Sequence, residues 1–267
     1  MLPIGDVNPA RRPPVVTVLI MLVCVGVYVG FQVNSDPTLV RTEVGVVQIP
    51  ASDAFTLHWA AVPCEITSAQ PLSVREIVQT YNQGDDTACD RGNRDDPLFL
   101  PDKRVYAALV VSLFLHGGLA HLGFNMLFLW IFGNNIEDRL GSFRFLLFYL
   151  AGGVVATVAH IAVQPSSTIP LIGASGAIAA VMGAYLVWYP NAPVRLLVLF
   201  FLPATVRAKW FLALWFVLQF FTDAASGVAW VAHVGGFVFG VVAGLVIGRP
   251  APPPLPPPLP TYRSPYG

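Results

Sequence analysis

Six apolar stretches, near residues 15–33, 116–136, 144–164, 172–189, 209–225 and 228–248, are each long enough to cross about 30 Å of hydrocarbon at about 1.5 Å of rise per residue. That pattern specifies a polytopic membrane protein. The composition agrees, since 55% of the 267 residues are hydrophobic, only 11% are charged, and the mean hydropathy is +0.65. With 15 Lys and Arg against 15 Asp and Glu, no basic field points to nucleic acid.

The charges speak through their positions. Arg11, Arg12, Arg139, Arg144, Arg195, Arg207, Lys209 and Arg249 all fall on one side of the predicted spans, and the short loops 165–171 and 226–227 on the other side carry none. The positive-inside rule then places both termini in the cytoplasm, with residues 1–14 as a cytoplasmic N-terminus. The first apolar stretch lacks a convincing small-residue cleavage site and reads as a retained helix rather than a signal peptide. Residues 34–105 form an external loop with 11 acidic and 6 basic residues, large enough to fold over the bundle.

Cys64 and Cys89 lie in that loop, either paired in an oxidising compartment or left as two separate thiols. Cys24, inside the first span, reads as a small buried apolar residue. Residues 194–208 are apolar but contain Arg195, Pro203 and Arg207, which suits an interfacial or re-entrant segment better than a seventh span. Residues 249–267 form a proline-rich cytoplasmic tail, read as an extension without a core; a docking site for a proline-recognising partner is the alternative.

A polar side chain in hydrocarbon costs several kcal/mol unless it has a partner or a use. Here such residues are His116, His121, Asn125, His160, Ser175 and His233. Following each span in its assigned direction, Ser175 lies about three residues below the outer end, His233 and His121 about five, and Asn125 about nine. All four share the outer part of the membrane. Small residues let two of these helices approach: Gly236, Gly240, Gly244 and Gly248 repeat every four residues on the last span, and Ser175, Ala179 and Gly183 run beside Gly176, Ala180 and Ala184 on the fourth. His233 falls on the glycine face and would point at the fourth span.

A serine hydroxyl is a weak nucleophile until a base takes its proton, and a neutral imidazole can do so. Gly173 and Gly176 flank Ala174-Ser175 and allow close backbone approach, while a serine at a helix N-terminus has free N–H groups around it that can hold an oxyanion. His121 and Asn125, four residues apart on one helical face, can add side-chain donors to the same charge.

The segments HGGLAHLGFNMLFLWIFGNNIEDRLG (His116–Gly141), GASGAIAAVMGAY (Gly173–Tyr185) and AHVGGFVFG (Ala232–Gly240) resemble, in order and placement, the three motif blocks of the rhomboid intramembrane serine proteases. The resemblance covers most of residues 105–248. It implies an all-α membrane protein, a six-transmembrane-helix bundle whose catalytic core spans residues 106–248. Ser175 would be the nucleophile and His233 the general base of a dyad without a third acidic member. The oxyanion hole would comprise His121, Asn125 and the Ser175 N–H, with His116 helping to fix the external loop near the site. Neither cofactor nor metal is implied. The expected substrates are single-span membrane proteins cut in or next to their transmembrane segment, and the expected location is the bacterial cytoplasmic membrane. Two positions depart from the family pattern. The residue four after the serine, aromatic in some members, is Ala179, and a Trp-Arg pair of the external loop is replaced by Ala107 and Ala108.

Other readings of the same residues exist. Ser175 alone would serve as a helix cap, His233 as a buried polar residue, His160 as a structural one, and His121 with Asn125 as interhelical glue. His116, His121 and His233 could hold zinc, but no HExxH and no intramembrane carboxylate accompanies them. Glu137 and Asp138, beside Arg139, read as capping or interfacial ion-pairing groups. A non-catalytic relative that binds transmembrane helices is the runner-up function. A small-solute transporter would need a repeat, a broken-helix pair or a charged relay that the sequence does not display.

Overall fold

The computed structural model describes residues 2–8, 10–34, 38–42, 45–49, 51–90, 96–199, 201–221 and 229–248. The proline-rich tail, Arg249 and the loop at 226–227 lie outside the described residues. Strand β1 (Leu2–Asp6) precedes helix α1 (Val15–Val27), which continues as a π turn through Tyr28–Gln32. The segment over residues 34–105, the expected external one, holds a hairpin, β2 (Thr38–Thr42) and β3 (Gly45–Ile49), and three helices, α2 (Ala51–Trp59), α3 (Pro63–Ser68) and α4 (Val74–Gln83). A short α5 (Ala108–Val111) and a 3₁₀ turn (Ser112–Phe114) lead to α6 (Leu119–Leu140), α7 (Ser142–Val163) and α8 (Ser175–Trp188). Strands β4 (Pro193–Val198) and β5 (Leu202–Arg207) precede α9 (Ala208–Gln219) and α10 (Trp230–Ile247).

An apolar helix thus occupies each of the six expected stretches, and the fold is a largely helical membrane bundle. Among the described residues, three helices are long and apolar enough to cross a membrane alone: α1 with its π turn, α7 and α10. Helix α6 qualifies together with the α5 segment, from which it is bent by 92°. Helices α8 and α9, of 14 and 12 residues, are shorter than a full span, so six complete crossings do not follow from length. The cause at α8 is local: Gly173 stands at φ +115°, a backbone conformation no helix contains, so the helix starts only at Ser175.

Residues 194–208, expected as an interfacial or re-entrant segment rather than a seventh span, hold most of an antiparallel hairpin, β4–β5, to which β1 adds in the order β1-β4-β5. The alternation that makes β4 a strand is in the sequence, with Val194 and Leu196 buried and Arg195 exposed. Pro203 is accommodated because β5 is an edge strand. The sheet lies at the basic end of the bundle. Asp6, at the end of β1, accepts hydrogen bonds from Tyr185 Oη on α8 and Asn135 Nδ2 on α6.

Glu137 and Asp138 tie the same end together. The Glu137 carboxylate accepts from the N–H groups of Val16 and Thr17 and from the Thr17 and Ser142 hydroxyls, capping α1 across the helix boundary. Asp138 accepts from the N–H groups of Arg11 and Arg12. Arg139 donates to the Gly248 carbonyl and lies 4.7 Å above the Trp188 ring. The capping reading of Glu137 therefore holds, with the helix it caps being α1. Glu137→Ala is expected to lower stability by about 1–3 kcal/mol, the cost of leaving buried donors unpaired, read as a fall in melting temperature of the purified protein.

At the opposite end, the external segment builds a small core of Ile49, Leu57, Val62, Leu72 and Ile77, with Cys64 and Cys89 joined in a disulfide. A capping box starts α4, in which Ser73 accepts from the Glu76 N–H and Glu76 from the Ser73 N–H. Lys103 pairs with Glu65, both buried, and also donates to the Leu57 carbonyl. Burial pushes the Glu65 carboxyl up and the Lys103 ammonium down, while the opposite charge beside each opposes that shift. This subdomain sits directly on the loop before α8. Cys64 N–H donates to Ser167 O, Thr168 N–H to Asp86 O, and Leu171 N–H to Ala61 O.

The tightest helix seam joins α8 and α10. A Cβ added at Gly236 would overlap the Gly176 carbonyl oxygen, one at Gly240 the Ala180 carbonyl, and one at Gly183 the Phe237 carbonyl. Gly244 faces Val187 and Ala184, and its carbonyl accepts from Trp188 Nε1. Three of the four expected glycines thus make the contact. Gly248 instead ends α10 in a positive-φ conformation, with nothing within 4 Å of where a Cβ would lie.

Candidate functional site

The α8–α10 seam fixes two side chains at the end where both helices begin. Ser175 is the first residue of α8, and His233 lies in the first turn of α10, one turn before Gly236 and Phe237, where the close contact with α8 begins. The first intrahelical bond of α8 runs from Ile178 N–H to Ala174 O, which leaves the N–H groups of Ser175, Gly176 and Ala177 without partners inside the helix.

Helix α6 brings His121 and Asn125 to the same place. A cavity of about 770 Å³ is lined by Ser175, His233, His121, Asn125, His160 and Trp215. The four residues expected to share a depth therefore share a cavity. Gly173 lets the parts converge, since a Cβ there would lie 2.8 Å from His121 Nε2 and 3.7 Å from Ser175 Oγ. Gly176 serves packing, because a Cβ on it would stand 2.7 Å from the Ala156 methyl.

The hydrogen bonds fix ring tautomers. Gly117 N–H donates to His121 Nδ1 (3.3 Å), so in the neutral ring Nε2 carries the proton and is a donor on the Gly173 and Ser175 side. Asn125 is buried, and its Nδ2 donates one hydrogen to the His121 carbonyl at 2.9 Å, with a second hydrogen on the same nitrogen. His116 is buried outside the cavity, its ring 5.2 Å from that of His121. Its backbone is clamped by Gln32, which accepts from His116 N–H, donates to His116 O and also donates to Thr56 of the external subdomain. Gln32 thus ties His116, beside the His121 ring, to the segment that carries Thr56.

Sequence reasoning left two neighbours of the site unread, Trp215 and Gln219, and took a third, His160, as structural. His160 on α7 lines the cavity rather than standing apart. Trp215 and Gln219, one turn apart on α9, both reach His233: the Trp215 ring lies 5.9 Å from the imidazole, and Gln219 Oε1 lies 2.8 Å from His233 Nδ1. The aromatic neighbour that Ala179 cannot supply on α8 comes from α9, and Ala179 itself is buried in the bundle core. The only sequence signal was a glutamine in an otherwise apolar stretch. Among the described residues, the one cluster with metal-ligand geometry is Cys64, Glu76 and Cys89, whose two cysteines are already bonded to each other, and the three histidines first weighed for zinc do not form one.

Comparison with known proteins gives a consistent result. A 78-residue segment is 46% identical to the Rhomboid protease GluP of Bacillus subtilis, covering 29% of this chain and 15% of that protein. A 145-residue segment is 32% identical to the human Presenilin-associated rhomboid-like protein, mitochondrial, covering 52% and 37%. A 95-residue segment is 30% identical to Rhomboid protein 1, mitochondrial, of Saccharomyces cerevisiae, covering 34% and 28%. The chain therefore matches well under half the length of these relatives. The family model for the Rhomboid domain matches residues 103–250, which takes in every helix of the cavity, and the chain belongs to the rhomboid family.

Proposed function

We propose that this protein is an intramembrane serine endopeptidase that cleaves single-span membrane proteins within or next to their transmembrane segment. The observation that carries this reading is the convergence of Ser175, His233, His121 and Asn125 on one cavity at the outer end of the α8–α10 seam. Ser175 Oγ attacks the scissile carbonyl while His233 takes its proton. The tetrahedral oxyanion accepts hydrogen bonds from His121 Nε2–H, the free hydrogen of Asn125 Nδ2 and the Ser175 N–H. Collapse of that intermediate breaks the C–N bond, His233 returns its proton to the leaving amine, and water then hydrolyses the acyl-enzyme. The similarity to a protein named a rhomboid protease supports the same reading.

Among the described residues, Arg139, Arg144, Arg195, Arg207 and Lys209 flank the helix ends opposite this cavity. That asymmetry supports a cytoplasmic N-terminus and tail, an external subdomain over residues 34–105 and a site that opens outward. The disulfide of the external subdomain is consistent with an oxidising compartment on that side.

The test is fluorophosphonate labelling of detergent-purified protein. Wild type is expected to label and His233→Ala to lose labelling. Wild-type protein that stays unlabelled, with probe access to the cavity demonstrated, would favour a non-catalytic helix binder. Asn125→Ala is expected to lower turnover about 10- to 1000-fold, as loss of one oxyanion donor does, with the fold retained. Full activity in that variant would remove Asn125 from the oxyanion hole.

A further inference from the structure

The His233 ring is held from a third helix. Gln219 is buried in the last turn of α9, and its amide orientation is settled by its second contact: Nε2 donates to the Trp215 carbonyl one turn earlier, at 3.0 Å. The amide oxygen is therefore the end that faces the imidazole, at 2.8 Å from Nδ1. An amide oxygen can only accept, so His233 Nδ1 carries the ring proton and Nε2 keeps its lone pair.

We propose that Gln219 is a positioning residue that holds His233 in the Nδ1–H tautomer, leaving Nε2 free as the base for Ser175. This rests on the serine-protease reading of the site. Trp215 completes the arrangement, since its backbone orients the amide while its ring flanks the imidazole. When His233 takes the serine proton, the Nδ1–H···Oε1 bond becomes charge-assisted and supports the imidazolium without placing a carboxylate in the membrane. The other titratable groups lining the cavity are His160 from α7, His121 from α6 and Asp86 from the segment after α4; α8 contributes Ser175.

The test compares the second-order rate of fluorophosphonate labelling across pH for wild type, Gln219→Leu and Gln219→Glu in detergent. Gln219→Leu removes the acceptor and is expected to slow labelling at least about tenfold, the worth of one hydrogen bond to a charged group. Gln219→Glu keeps an acceptor but adds a negative charge that favours the imidazolium, so the acid limb of the profile is expected to move to higher pH with labelling restored above it. Nitrogen-15 spectra of histidine-labelled protein, assigned with His233→Ala, are expected to show His233 Nδ1 protonated and Nε2 unprotonated in the neutral ring. Wild-type protein that does not label overturns the protease reading itself. A labelling wild type whose rate and pH midpoint are shared by both variants, or a His233 ring protonated on Nε2, overturns the role of Gln219 alone. If Gln219→Leu fails to fold, the Gln219→Glu profile and the ring spectrum still decide.

Discussion

A Ser175→Ala variant is expected to cleave a single-span test substrate more slowly than wild type by a factor on the order of 10⁴ to 10⁶, with an unchanged melting temperature. The change deletes one oxygen and leaves its surroundings in place: the His233–Gln219 bond, the donors on α6 and the free N–H groups at the start of α8. Attack must then come from water, with only binding and oxyanion stabilisation to assist it. Ser175 is half-buried at the first position of α8, where alanine fits without a new contact, so loss of rate does not reflect loss of fold. Cleavage in proteoliposomes and a thermal melt measure the two quantities. A variant that cuts at the wild-type rate would place the nucleophile elsewhere.

The largest effect on stability is expected at Gly240. A Cβ at that position would overlap the Ala180 carbonyl oxygen, and its next neighbours are also Ala180 backbone atoms. Backbone cannot turn aside as a side-chain tip can, so Gly240→Leu must push α10 away from α8 along the whole seam. The expected cost is about 3 kcal/mol or more, at the upper end of overpacking effects, with loss of cleavage because Ser175 and His233 separate. Gly26→Leu is the control, since nothing lies within 4 Å of a Cβ at Gly26 on α1. A Gly240→Leu protein that melts and cleaves like the Gly26→Leu control would refute the seam as the element that aligns the dyad.

What could be read from the sequence follows physical scale. Length and hydropathy locate helices well because the bilayer imposes them, and the four-residue glycine repeat states its packing face without reference to a partner. Shared depth brings Ser175, His233, His121 and Asn125 together from hydropathy alone. The hairpin at 193–207 is hidden because its alternation is short and its hydropathy matches that of the spans around it. Gln219 stands 14 residues from His233, and no local pattern announces that two side chains so separated will meet. The Ser73–Glu76 capping box is present in the letters of the external segment, but the helix it starts is short and polar and does not stand out by hydropathy.

The pairing of Leu2 with Leu197 also sets an order of events. At about 5–20 residues per second of synthesis, β1 exists for on the order of ten to forty seconds before β4 has been made. For nearly all of that interval Tyr185, 179 residues beyond Asp6, has not been made either. A strand made early is thus paired late, and its pairing with β4 registers that the chain through Val198 has been translated.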